Sequence, residues 1–151
     1  MNGGRIDFIA DTSAIIGLLR GDPRIEPKVS NKNFAITFIT LAELSLGVLK
    51  SNKRDAAWTS IRNLLRDRTM FHVSTITPAI YARIYFDLEQ RGTMIPINDI
   101  WIAALAIEAR LPILAQDRVL LPQARRRLAV EISDFRLSSF CAPCHSGAPG
   151  C

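Results

Sequence analysis

Several kinds of sequence are missing from this chain, and each absence removes a class of protein. No apolar run reaches the roughly 18 residues of a membrane-spanning helix. The N-terminus, MNGGRIDFIADTS, has no basic leader and no long apolar stretch, so no secretory signal is legible and a cytoplasmic location is expected. Cysteine is confined to Cys141, Cys144 and Cys151. In a reducing compartment these do not form a disulfide framework. Lysine occurs only at Lys28, Lys32, Lys50 and Lys53, so arginine carries most of the positive charge. Histidine occurs only at His72, in an expected strand, and His145, near the C-terminus.

What remains is a 151-residue chain, 48% apolar, with a net charge of +5. That is enough apolar material for one well-buried domain and too much for a disordered chain. An arginine-rich surface suits phosphate oxygens, and counterion release favours nucleic acid. The same charge also serves plain solubility.

Hydrophobic periodicity gives the order of elements. Residues 5–10 read as a buried strand feeding a helix that Gly21 closes. Residues 22–33 read as loop or a short helix start. Residues 33–40 read as a second strand, with Thr40 capping the helix that follows. Residues 55–67 form an amphipathic helix with Trp58, Ile61, Leu64 and Leu65 on one face. Residues 70–76 read as a third strand. Thr77-Pro78 then starts a helix, threonine as cap, which closes at Gly92. Asp99 opens an almost wholly apolar helix. Residues 111–117 read as a fourth strand ending in an acid, 121–129 as a short helix or turn, and 130–135 as an edge strand. The alternation predicts an α/β fold with a mostly parallel sheet over about 1–136 and a disordered tail over 137–151.

Four acids fall where apolar runs end: Asp11, Glu43, Asp99 and Asp117. Carboxylates at the C-terminal ends of parallel strands converge on one sheet edge, where open α/β folds place their sites. Four together repel one another unless a hard cation such as Mg²⁺ or Mn²⁺ sits among them. Each also has an ordinary role. Asp11 can cap its helix, although Thr12 and Ser13 can do so instead. Thr40 through Glu43 match a capping box. Asn98 or Asp99 can cap the apolar helix. Asp117 can be a turn residue.

The set in order is Asp11-Thr12-Ser13, Thr40 through Leu44, Asn98 through Ala104, and Ile113 through Asp117. It resembles the PIN-domain nucleases, in particular the VapC toxins of bacterial toxin–antitoxin pairs. The resemblance implies an α/β/α sandwich and a metal-dependent endoribonuclease using Mg²⁺ or Mn²⁺. It also implies a homodimer and a small antitoxin that lays a C-terminal segment across the site. Its catalytic acids map onto Asp11, Glu43, Asp99 and Asp117. Asp11, Asp99 and Asp117 then contact metal, and Glu43 orients the attacking water. Thr12, Ser13, Thr40 and Asn98 support them, and Arg118 holds substrate phosphate. With no histidine placed as a base, metal-free histidine chemistry is disfavoured. Ala115 departs from the family pattern, which commonly has a hydroxyl there; a lost supporting hydroxyl weakens such sites.

Trp58 and the basic groups around it lie where such toxins hold the antitoxin, or Trp58 is simply core. Cys141 through His145 match a haem-attachment spacing, and with Cys151 a zinc set. A glycine- and proline-rich tail in a reducing compartment supports neither. Receiver domains need paired acids after the first strand, and dehalogenase-like phosphatases need Asp in place of Ser13. The alternative from a different class is a non-catalytic PIN-like module that binds RNA or protein, and Mn²⁺ affinity discriminates the two.

Overall fold

In a computed structural model the described residues are 4–115, together with the backbone of 118–120. The elements are β1 (Phe8–Ala10), α1 (Thr12–Leu19), α2 (Glu26–Val29), β2 (Phe34–Thr37), α3 (Phe38–Leu49) and α4 (Arg54–Leu65). They continue with β3 (Met70–Phe71), α5 (Thr77–Gln90), α6 (Ile97–Ala109), β4 (Ile113–Ala115) and β5 (Arg118–Leu120). The expected helix over 121–129, strand over 130–135 and tail over 137–151 lie outside the described residues.

The sheet order is β3-β2-β1-β4-β5. All pairs are parallel except β4 with β5, which is antiparallel. The chain moves outward from β1 through β2 to β3, then returns across α5 and α6 to place β4 on the other side of β1. That reversal is a topological switch, and the crevice beyond the strand ends opens there.

Alternation along the strands builds three layers. Phe8, Ala10, Phe34, Ile36 and Leu114 face one side and pack with Ala14, Ile15, Leu44 and Ile61 from α1, α3 and α4. Ile9 and Ala35 face the other side and meet Ala106 of α6. Ile80 and Ile84 of α5 pack on Ile100 and Ala104, and Tyr81 stacks on Trp101 at 4.1 Å. Trp58 is half-buried against the first of these clusters, its core reading.

The strand expected over 5–10 begins at Phe8, the strand over 111–117 is described as Ile113–Ala115, the apolar helix begins at Ile97 rather than Asp99, and β5 was not expected. At two further boundaries a side-chain hydrogen bond outranks apolar pattern. The second strand ends at Thr37, not Thr40. Thr37 is the cap, its Oγ1 accepting the Thr40 N–H at 3.1 Å. Phe38 and Ile39 therefore belong to the helix despite their strand propensity. The third strand stops at Phe71, because Ser74 and Thr77 fold the backbone into a turn: the Ser74 N–H donates to Thr77 Oγ1 at 2.8 Å, and the Ile76 N–H to Ser74 Oγ at 3.0 Å. Thr77 does not cap α5. Its hydroxyl, like that of Ser74, donates to the Glu108 carboxylate and ties α5 to α6. β5 has too few residues to show a period.

Three helices end alike. The residue after α1 and α5 bends into a left-handed glycine, Gly21 and Gly92, while the carbonyls of the last turn accept from Asp22 and Thr93 N–H groups. After α6 the left-handed position is Arg110, with φ 56°, where an L side chain costs roughly 1 kcal/mol. The Leu111 N–H to Ala106 O bond at 3.0 Å offsets part of that cost and turns the chain directly into β4.

Candidate active site

The site grows from the C-terminal end of β1. Asp11 is the first residue beyond that strand, and its N–H donates to Leu114 O of β4 at 2.9 Å. Its backbone is extended, and its side chain makes no capping bond to α1. The carboxylate is thus released from the ordinary role of Asp at a helix start. Ser13 Oγ donates to Asp11 Oδ2 at 3.0 Å and fixes the orientation of that carboxylate.

Glu43 does not close a capping box, since Thr37 holds the cap. From α3 it reaches across the crevice instead. Thr12 Oγ1 donates to Glu43 Oε2, and Asn98 Nδ2 donates to Oε1 at 2.6 Å. One carboxylate therefore joins the starts of α1 and α6 to α3. Asn98 does not cap α6 either; that helix follows Pro96 and has no side-chain cap. Asp99 lies in its first turn, where the positive end of the helix dipole favours an acid.

Burial pushes the Asp99 carboxyl above the usual carboxylate value, and the charges of Asp11 and Glu43 push it further. Both charged neighbours acting on it are acids. Three of the four expected acids are therefore brought within electrostatic reach of one another. Of the supporting residues, Thr12, Ser13 and Asn98 touch these carboxylates. Thr40 does not: it is fully buried one turn behind, 3.0 Å from the Thr37 hydroxyl. Asp117 lies outside the described residues, as does the Arg118 side chain. The backbone of Arg118 pairs with Ala115. Among the described residues, no group of three His, Cys, Asp or Glu side chains encloses a metal position.

Sequence reasoning missed two contacts. The signal for Thr37 as cap was the Thr37-x-x-Thr40 spacing, hidden within an apolar run. The Glu108 clamp had no signal, because its partners are 31 and 34 residues away.

The family model for the PIN domain matches residues 8–126. The chain belongs to the PIN domain family. It is 32% identical over 111 residues to the ribonuclease VapC5 of Mycobacterium tuberculosis, covering 72% of this chain and 82% of that protein. A solved member of the VapBC family of toxin–antitoxin systems, VapBC-5 of the same organism, superposes with a TM-score of 0.61 at 30% identity. It covers 80% of this chain and 91% of its own. VapBC-1 of nontypeable Haemophilus influenzae superposes with a TM-score of 0.66 at 24% identity over 87% of this chain and 96% of its own, which shows the shared fold. This PIN domain carries Asp11, Glu43 and Asp99 at one edge of its sheet.

The raised Asp99 value has a signed consequence. Folding disfavours its ionised form, so its contribution to stability falls as pH rises above the unfolded value of about 3.9. Asp99→Asn should therefore raise Tm at pH 7 in EDTA, with the difference closing as pH falls toward about 4. Thermal scans at both pH values check this, and a variant no more stable than wild type at pH 7 would count against charge strain at Asp99.

Proposed function

We propose that this chain is a Mg²⁺- or Mn²⁺-dependent endoribonuclease, the toxin of a VapBC-type pair, acting in the cytoplasm. The observation that carries the reading is the Thr12–Glu43–Asn98 bridge, which sets Glu43 beside Asp11 and Asp99 at the switch point of the sheet. The ribonuclease names of relatives at 30 to 32% identity support the activity. The VapBC complexes among the similar structures support an antitoxin partner.

The residues fit a hard divalent cation. The donors are oxygen only, and the mutual repulsion felt at Asp99 is the kind that a cation relieves. Mg²⁺ commonly binds through one or two carboxylates while keeping its waters, so Asp11 and Asp99 suffice as direct ligands and Asp117 is the candidate third. When bound, the ion supplies charge neutralisation at the scissile phosphate and acidifies the attacking water.

Each described residue then has a chemical task. Asp11, aimed by Ser13, and Asp99 hold the positive charge where the phosphate arrives. Glu43 uses the free lone pairs of its oxygens to orient the water and accept its proton. Thr12 and Asn98 keep it from swinging toward the other acids. Asn98 is neutral, so it spaces Glu43 from Asp99 without adding charge to a crowded cluster.

Between α1, α3 and α4 lies a recess of about 390 Å³, walled by Leu44, Gly47, Val48 and Ile61 and reaching Glu43. Ile16 and Leu19 on its rim are 36% and 38% exposed. An apolar segment of an antitoxin seated there would cover the site entrance.

The central test is RNA cleavage by the purified chain with Mg²⁺ or Mn²⁺ against EDTA, beside Asp99→Ala. Cleavage should need metal and vanish in the variant; equal cleavage by both would sink the reading. Asn98→Ala should lower kcat about ten- to a hundredfold while leaving KM nearly unchanged. A change confined to KM would assign Asn98 to substrate instead. Leu19→Lys should keep cleavage activity but escape inhibition by the product of an adjacent reading frame, as measured by cleavage with that protein added; full inhibition would exclude this groove.

A further inference from the structure

A second recess lies on the other flank of α1 and meets the candidate site above only at Ser13. It encloses about 490 Å³ and is lined by Ser13, Gly17, Arg20, Asp22, Arg24 and Ile25 among others. We propose that it holds a backbone phosphate of the RNA strand a few nucleotide steps from the scissile bond, through Arg20 and Arg24. The proposal rests on the nuclease reading and adds a substrate subsite to it.

The geometry connects the recess to the catalytic acids. Ser13, at one end, is the residue whose hydroxyl bonds Asp11. Arg20, at the other, is the C-terminal cap of α1, while Asp11 precedes its first turn. At 1.5 Å rise per residue the two stand about 13 Å apart. A strand laid along α1 thus passes from the acids to the two arginines.

The loop bearing Arg24 is held in place. Ile25 is only 2% exposed and plugs the space left by Gly17, where an added Cβ would come within 2.9 Å of Ile25 Cγ1. Asp22 accepts from the Arg24 backbone N–H at 2.9 Å, from Nε at 3.0 Å and from Nη2 at 2.7 Å. The guanidinium is therefore set before any ligand arrives, which lowers the entropy lost on binding. The hydrogen bonds from Arg24 lower the Asp22 carboxyl to about 2, so Asp22 is ionised and offsets part of the charge of Arg24, while Arg20 and Lys28 add to the positive side.

The substrate makes such cations necessary. A cluster of carboxylates repels a polyanion, so the binding free energy for RNA has to come from positive charge outside the cluster. Arginine forks match phosphate oxygens better than lysine does. The apolar recess on the opposite flank suits a peptide. This one, rimmed by two guanidinium groups, suits phosphate. Arg20 borders both, so an acidic peptide is the competing occupant that the test separates.

The experiment is fluorescence anisotropy with a short single-stranded RNA of mixed sequence, in an Asp99→Asn background that binds without cleaving. Arg20→Ala and Arg24→Ala should each weaken binding about five- to tenfold at low salt. Each should also make the log K against log salt slope shallower by about 0.7. Asp22→Asn keeps an oxygen for the Arg24 N–H but removes the offsetting charge, and should tighten binding. A merely structural role for this loop would not produce that gain. Unchanged affinity and slope in both arginine variants would overturn the subsite alone. So would variants that lose antitoxin inhibition while keeping full RNA affinity. A parent protein that binds no RNA would overturn the nuclease reading together with the subsite.

Discussion

Strand β1 is hydrogen-bonded on both edges and buried on both faces, and the placement of the described carboxylates of the candidate site depends on it. Its parallel pairing with β2 and β4 brings three strand ends to one edge. The bond from the Asp11 N–H to Leu114 O locks the first residue beyond β1 to β4. A shift of one residue in that register would turn Phe8 and Ala10 away from α1 and carry Asp11 out of the crevice. The apolar alternation that builds the core is thus also what aims the site.

On that frame, three helices are joined through a single carboxylate. Glu43 sits on α3, Thr12 on α1 and Asn98 on α6, and the hydrogen bonds among them span 31 and 55 residues of chain. Neither donor is needed to cap its own helix. α1 starts without a side-chain cap, and α6 starts after Pro96 in the same way. The polar groups that would ordinarily stabilise helix ends are diverted into the site. Glu108, in the last turn of α6, makes a comparable tie to Ser74 and Thr77, while Asp99 lies in the first turn of the same helix. One device, a carboxylate receiving two distant donors, serves packing in one place and builds the candidate site in the other.

Charge runs the opposite way at the two ends of α1. The N-terminal end meets Asp11, Glu43 and Asp99, whose repulsion raises Asp99. The C-terminal end carries Arg20 and, just beyond, Arg24. On the reading proposed above, a cation would neutralise the acids and RNA phosphates would meet the arginines, so that one substrate complex would resolve both imbalances.

The acids, their order and the α/β alternation were legible in the sequence, because each acid stands where an apolar run stops and backbone periodicity is a local property. The ends of α1 and α5 were legible too, because only glycine adopts their left-handed turn without cost. The partners were not. Thr40 looked like a cap and Glu43 like its companion, since a capping box is a local pattern, but Thr37 took the cap through a hydroxyl hidden in an apolar run. Which oxygen of Glu43 meets which donor depends on how α1, α3 and α6 pack. That is decided by burial across the sheet, between residues far apart in the chain. The sequence by itself determined which groups could do chemistry; the tertiary structure decided which of them face one another, because hydrogen bonds and repulsion act over ångströms in space and not along the chain.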